Sequence, residues 1–133
     1  MIRTIEQKEL LLKDICARLP HGVRCSFGVD DAIYEITGIN PSACGASEIQ
    51  ATHIKSDING DFKLNSCKPY LFPLSSMTEE QSKIYHELVG GMFGTNVLIN
   101  LEYLIDFFNK NHLDWRGLIP MGLANDATGL NIY

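Results

Sequence analysis

Residues 68–81, which read KPYLFPLSSMTEEQ, join a region typical of strands and turns to a region typical of helices. Pro69 and Pro73 cannot donate hydrogen bonds to a strand ladder, so we expect a strand entering this stretch to leave its sheet here. Thr78 is a typical helix N-cap, and Gln81 lies three residues later, where its side chain can accept a hydrogen bond from the backbone of the cap. This stretch therefore predicts a junction between a sheet and a helix.

The chain before the junction begins with a predicted amphipathic helix. Thr4 and Gln7 repeat the capping-box pattern, and Pro20 ends the helix because the residue before a proline is pushed out of the helical region. Apolar side chains recur at helical spacing along one stripe, and Cys16 belongs to that stripe. We therefore expect Cys16 to be buried.

A small antiparallel sheet is predicted to follow this helix. Residues 23–27, 32–39 and 47–54 are strand candidates, separated by turn-rich segments. Asn59-Gly60 is a strong signal for a two-residue hairpin turn, which would place Asp57 opposite Phe62 in a fourth strand. A strongly curled open sheet and a small SH3-like barrel both fit this pattern.

Two helices and an irregular tail are predicted after the junction. The first runs from Glu79 to Val89 and is ended by Gly90-Gly91, and the second runs from Val97 to His112. Because the second helix is so apolar, we expect it to be buried on two sides, against the sheet and against a neighbouring helix. The predicted class is α+β, with an N-terminal helix, a small antiparallel sheet, two C-terminal helices and a tail, in a single domain spanning residues 1–133.

Composition narrows the class of protein. A chain of 133 residues, 45% of them apolar, is long enough for one domain with its own core. The net charge of −5 argues against a mainly electrostatic hold on nucleic acid. The four cysteines form no C-x-x-C pair, and the chain shows no apolar leader. No apolar run approaches the roughly 20 residues of a membrane span. These features predict a soluble cytoplasmic protein.

Sequence motifs for catalysis and metal binding are incomplete in this chain. His86-Glu87 begins like a zinc-protease helix, but the second histidine would have to stand at position 90, which is Gly90. The cysteines and histidines lack the short pair spacings of a structural zinc site. Cys44 is the cysteine that we expect to be exposed, and no basic residue near it in sequence would activate its thiol. We therefore predict no catalytic residue, no metal and no cofactor.

A polar motif in the tail holds the single tryptophan, in the order Asp114, Trp115 and Arg116. Tryptophan and arginine are the residue types enriched at binding hot spots, so we name these three as candidate binding residues. The alternative interpretation is structural: Trp115 covers the end of the long helix while Arg116 pairs with a carboxylate or a carbonyl.

Three segments together resemble a known family: residues 9–23, ELLLKDICARLPHGV, residues 68–81, and residues 112–119, HLDWRGLI. Their order and spacing are similar to those of small uncharacterised proteins in prophages and mobile elements of Bacteroides-type gut bacteria. The resemblance implies no activity. That family often carries arginine at the position of Phe72 and tyrosine at the position of Trp115, so an anionic contact made by that arginine would be missing here.

The leading hypothesis is a non-enzymatic accessory protein of a phage or mobile element that binds another protein. A divergent enzyme that uses Cys44 or a histidine is one alternative, and a deep polar pocket around such a residue would favour it. A small-barrel nucleic-acid binder that uses Lys55, Lys63 and Lys68 is another. A flat apolar patch would favour the protein-binding hypothesis.

Overall fold

The computed structural model describes residues 3–28, 32–40, 48–90 and 97–133. Its helices are α1 (Ile5–Arg18), α2 (Glu79–Gly90) and α3 (Val97–Lys110). Its strands are β1 (Val23–Ser26), β2 (Tyr34–Ile39), β3 (Ile49–His53), β4 (Asn59–Phe62), β5 (Lys68–Leu71) and β6 (Asn125–Asp126). The predicted α+β class is confirmed. Cys44 and Gly91 lie outside the described residues.

The described strands form one open sheet in the order β4-β3-β2-β1-β5-β6. Neighbouring strands are antiparallel except β5 and β6, which are parallel. The sheet is therefore not closed into an SH3-like barrel. It has two strands more than predicted, because a 3-10 turn at Leu64–Ser66 divides the expected fourth strand, and β6 comes from the tail.

The hairpin between β3 and β4 differs from the predicted one. Asn59 and Gly60 lie within β4, opposite Thr52 and Ala51, so the predicted two-residue turn is wrong. The connection is a longer turn that includes Asp57, whose φ is 56°. Glycine stands at position 60 for another reason: a Cβ there would lie 2.9 Å from Cε2 of the Phe62 ring.

Helix α1 lies against the inner face of the sheet. Leu11 and Ile15 are fully buried and pack with Val23, Ile36 and Ile49 in the first apolar cluster. Leu118 and Leu123 of the tail belong to the same cluster.

Cys16 is exposed, so its predicted burial is wrong. The buried residues of α1 are Leu11, Asp14, Ile15 and Arg18, and position 16 lies beside that stripe.

Both predicted capping boxes are confirmed. Thr4 Oγ1 accepts from the Gln7 N–H at 3.1 Å, and Gln7 Oε1 accepts from the Thr4 N–H at 3.0 Å. Thr78 and Gln81 form the same two bonds at the start of α2, at 3.1 and 3.0 Å. As predicted, β5 ends inside the junction, and the next residue, Phe72, forms a parallel bridge with Leu113.

Helix α3 packs mainly against α2 and also contacts α1. Leu104, Phe107 and Phe108 form the second apolar cluster together with Leu113. The predicted packing of this helix against a neighbouring helix is confirmed, but no strand is among its main contacts and Tyr103 is 60% exposed, so the predicted burial against the sheet is wrong for the described part of the helix. The inner face of the sheet is already covered by α1 and the tail, which leaves one side of α3 open.

Candidate functional site

Asp114 uses both of its carboxylate oxygens inside the fold. Oδ1 accepts from the Leu118 N–H at 2.8 Å, and Oδ2 accepts from the Ile119 N–H at 2.9 Å. Asp114 is 6% exposed. Its carboxylate therefore holds the turn that follows α3.

Trp115 covers the end of α3. Its Nε1–H donates to Oδ1 of Asn109 at 3.1 Å, and its ring stacks against Phe108 with ring centroids 6.1 Å apart. The guanidinium carbon of Arg116 lies 4.1 Å from the centroid of the Trp115 ring. These contacts are the ones that the structural interpretation expects.

Arg116 pairs with a buried carboxylate of α1. Its Nε–H donates to Oδ1 of Asp14 at 3.0 Å, while the Nε–H of Arg18 donates to Oδ2 of Asp14 at 2.9 Å. Arg18 also donates from Nη2 to the Leu113 carbonyl at 2.7 Å. Asp14 and Arg18 have no exposed surface. This network fastens α1 to the segment after α3.

Sequence reasoning missed Asp14 and Arg18. A usable signal was present, because these charged residues lie four positions apart on the same stripe as Leu11 and Ile15. An aspartate and an arginine four positions apart on a helix can pair, and charges on a buried stripe are costly unless they are paired. Both oxygens of Asp114, the indole N–H of Trp115 and the Nε–H of Arg116 have partners inside the chain, and binding of another protein by these three residues stays a prediction.

The surface between α2 and α3 has a different character. A groove of about 510 Å³, which we call the α2–α3 groove, lies between Ile84 and Leu88 of α2 and Tyr103 and Phe107 of α3. Ile84 is 39% exposed and Tyr103 is 60% exposed. The charged residues that line the groove are Glu80, Asp106 and Lys110. The groove is an open surface on which apolar and polar side chains are mixed in similar proportion.

The two cysteines inside the fold are poorly placed to act as nucleophiles. Cys25 and Cys67 are buried, and the contact between their thiols, followed by burial, raises the pKa of Cys25. A thiol with a raised pKa stays protonated at neutral pH and is a poor nucleophile. No group of three or more residues suited to a metal ion is found among the described side chains.

His53 lines a largely apolar cavity of about 340 Å³, together with Ile33 and Ile54. Its Nδ1 accepts from the backbone N–H of Ser56 at 3.1 Å and lies 2.9 Å from the Ser56 hydroxyl. This arrangement closes the turn after β3. The surroundings are not the deep polar pocket that would favour an enzyme.

His112 is stacked on Tyr133, with ring centroids 3.6 Å apart. Its Nδ1 is buried without a hydrogen-bond partner among the described residues. Burial, followed by electrostatic interactions with Arg18, His21 and Arg24, lowers the pKa of His112 to about 4. His112 is therefore neutral at physiological pH.

Comparison with protein-family models, with curated proteins and with solved structures gives no match. Function is therefore inferred from the surfaces of this molecule. In the described parts of the chain, no helix combines the length and the apolar character that crossing a membrane requires.

Proposed function

We propose that this chain is a non-enzymatic protein-binding module, whose partner places an amphipathic helix in the α2–α3 groove. The observation that carries this proposal is the exposure of Ile84 and Tyr103 on either side of the groove. Exposed apolar side chains grouped on one surface, with polar residues around them, are typical of interaction sites.

The spacing of the apolar residues suits a helical partner. Ile84 and Leu88 lie four positions apart on α2, and Tyr103 and Phe107 lie four positions apart on α3, so each pair follows one face of its helix. Two such ridges enclose a trough that accepts the apolar stripe of a third helix. The partner should therefore present apolar residues at spacings of three and four.

The charge of α2 and α3 should determine which amphipathic helices bind in the groove. In α2 and in residues 101–110 of α3, five carboxylates stand against two lysines. An incoming helix with lysine or arginine beside its apolar stripe would be electrostatically complementary to this surface. A second copy of this chain would bring the same acidic surface to the contact, so self-association through the groove is disfavoured.

The biological setting is proposed from the resemblance of residues 9–23, 68–81 and 112–119. We propose that the chain is an accessory protein of a prophage or mobile element and that it acts in the cytoplasm, where Cys25 and Cys67 would remain thiols.

The nucleic-acid alternative assumes a small closed barrel, whereas the sheet of this chain is open. Lys55, Lys63 and Lys68 are exposed at the two ends of the β3–β4 hairpin and at the start of β5.

Selection from a displayed library of helical peptides tests the proposal. Peptides selected on the native chain should share an apolar stripe flanked by lysine or arginine, and Tyr103→Glu should weaken their binding at least about tenfold. Ile58→Glu is the matched control, because Ile58 is 67% exposed but lies in the β3–β4 turn. Failure to select any peptide, or equal loss of binding in both variants, would overturn the proposal. So would a catalytic activity that is abolished by changing one polar residue.

A further inference from the structure

We propose that a second site, separate from the α2–α3 groove, binds a small phosphate monoester with an apolar or aromatic body. The site is a cavity of about 420 Å³, which we call the Arg3–Lys68 cleft. It lies between the start of α1, the end of β1, the start of β5 and residues 121–123 of the tail. Its volume is within the range of small-molecule sites in proteins.

Two side-chain amides that line the cleft have their oxygens engaged by the backbone. Asn65 Oδ1 accepts from the backbone N–H of Arg3 at 3.0 Å, and Gln7 Oε1 accepts from the backbone N–H of Thr4 at 3.0 Å. Because the oxygen of each amide is engaged by the backbone, the NH₂ group is the end that remains for a ligand. The amides therefore favour a ligand that accepts hydrogen bonds.

Two cations lie at the same cavity. The Nη1–H of Arg3 donates to the Leu64 carbonyl at 2.7 Å, which holds the guanidinium against the fold, and Lys68 is exposed. Neither residue forms a salt bridge with a carboxylate of the described chain. Desolvation by burial lowers the pKa of Arg3, so this cation would gain more from an anionic partner than a fully hydrated one.

The described lining of the cleft contains no carboxylate. That is unexpected in a chain with a net charge of −5. The Ser66 side chain adds a hydroxyl to the two amides and the two cations. Asp30 and Asp31 lie outside the described residues. The described groups thus present an excess of donors and of positive charge at one place.

A phosphate monoester matches these donors better than a carboxylate does. Its dianion balances two cations, and its three terminal oxygens accept from several donors at once, whereas a carboxylate offers one charge and two oxygens. The lining also includes the apolar side chains of Phe27, Met121 and Leu123. These side chains favour an organic group attached to the phosphate rather than the inorganic ion.

Calorimetric titration with phenyl phosphate tests the site. Asn65→Asp is the sharpest variant, because Oδ1 still accepts from the Arg3 N–H while the NH₂ donor becomes an anionic oxygen. We expect this variant to keep its melting temperature and to bind phenyl phosphate at least about tenfold more weakly. Lys68→Gln should also weaken binding, and the weakening should shrink as salt is added.

Lys55→Gln is the matched control, because it removes the same charge from a lysine in the β3–β4 turn. It should leave the affinity for phenyl phosphate unchanged. Benzyl alcohol should not bind, and inorganic phosphate should bind more weakly than phenyl phosphate.

Four outcomes would overturn the assignment: no binding of phenyl phosphate, tighter binding of benzoate, unchanged affinity in Asn65→Asp, or an equal loss in Lys55→Gln. Tyr103→Glu should leave phenyl phosphate binding intact, so failure at this cleft is distinguishable from failure of the α2–α3 proposal.

Discussion

Nε of Arg116 lies 3.0 Å from Oδ1 of Asp14, and this contact joins two positions that are 102 residues apart. The other oxygen of the same carboxylate binds Arg18. One buried anion thus balances two cations from separate parts of the chain.

Substitution of Asp14 by asparagine should destabilise the fold strongly. The change keeps the size of the side chain but leaves two guanidinium groups without their anion, which typically costs about 3–5 kcal/mol when the pair is buried. Urea denaturation measures this cost. Glu9→Gln, on the exposed side of the same helix, should change the free energy of unfolding by less than about 0.5 kcal/mol. A similar effect of both variants would contradict the role given to Asp14.

Trp115→Phe should separate the structural and the binding interpretations of the tail motif. Phenylalanine can keep the stack on Phe108 but cannot donate to Asn109, which is 5% exposed and would lose its partner. We expect a loss of about 1–3 kcal/mol in guanidinium denaturation. In an Asn109→Ala background the same substitution should cost less, because the hydrogen bond is already absent. Unchanged stability combined with weaker partner binding would instead favour direct recognition by Trp115.

Gly60→Ala should be destabilising, although alanine normally restricts the unfolded chain more favourably than glycine does. The new methyl group would lie 2.9 Å from the Phe62 ring, which stacks on Phe27 with ring centroids 4.0 Å apart. Displacing that ring should cost about 1–3 kcal/mol, measured by thermal unfolding. Gly90→Ala is the control, since nothing lies within 4 Å of a Cβ built there. Equal melting temperatures for the two variants would refute the packing role of Gly60.

Thr78→Ala removes the oxygen that caps α2. The substitution should cost about 1 kcal/mol in urea denaturation, because the Gln81 N–H loses its acceptor. Thr78→Ser retains the hydroxyl and should cost less than about half of that. If serine and alanine prove equally destabilising, the cap is not the source of the effect.

Stability should depend on pH through His112. The pKa of His112 is lowered from 6.5 to about 4 in the folded chain, chiefly by burial. Between these two values the unfolded chain binds a proton that the folded chain does not, so the free energy of unfolding falls as pH drops from 6.5 towards 4. The stabilisation is complete above pH 6.5, where His112 is neutral in both states.

His112→Asn provides the comparison for this pH dependence. Asparagine tolerates the positive φ of 57° at this position and does not titrate. Its plot of stability against pH should be flatter than that of the native chain between pH 4 and 6.5. Parallel plots would show that His112 is not responsible.

Sequence patterns predicted the parts of the fold that depend on neighbouring residues. The capping boxes at Thr4 and Thr78 each form within four consecutive residues, so the local sequence contains both hydrogen-bonding partners. The bounds of α1 and α2 also depend on nearby residues, and the sequence predicted them to within about two positions. The class of fold follows from the order of these elements.

Predictions failed where one residue type serves two purposes or where the partner is distant. The pattern Asn59-Gly60 predicts a turn, but Gly60 lies in a strand next to the Phe62 ring, and the sequence does not distinguish these two roles of a glycine. Strand β6 pairs with β5 from more than fifty positions away, so no local periodicity marks it. The structural interpretation of the tail motif pairs Arg116 with a carboxylate or a carbonyl, and only the fold shows that the partner is the carboxylate of Asp14.

A group of buried polar contacts lies between the two apolar clusters. One cluster lies beneath the sheet, the other lies between α2 and α3, and the bonds from Arg18 to Asp14 and to the Leu113 carbonyl lie where α1 meets the segment after α3. We therefore expect the two apolar clusters to unfold as separate cooperative units. Helices α2 and α3 should open together, while the sheet and α1 keep their protection from amide hydrogen exchange. A helix bound in the α2–α3 groove would suppress that opening, and its binding energy would appear as slower exchange throughout both helices.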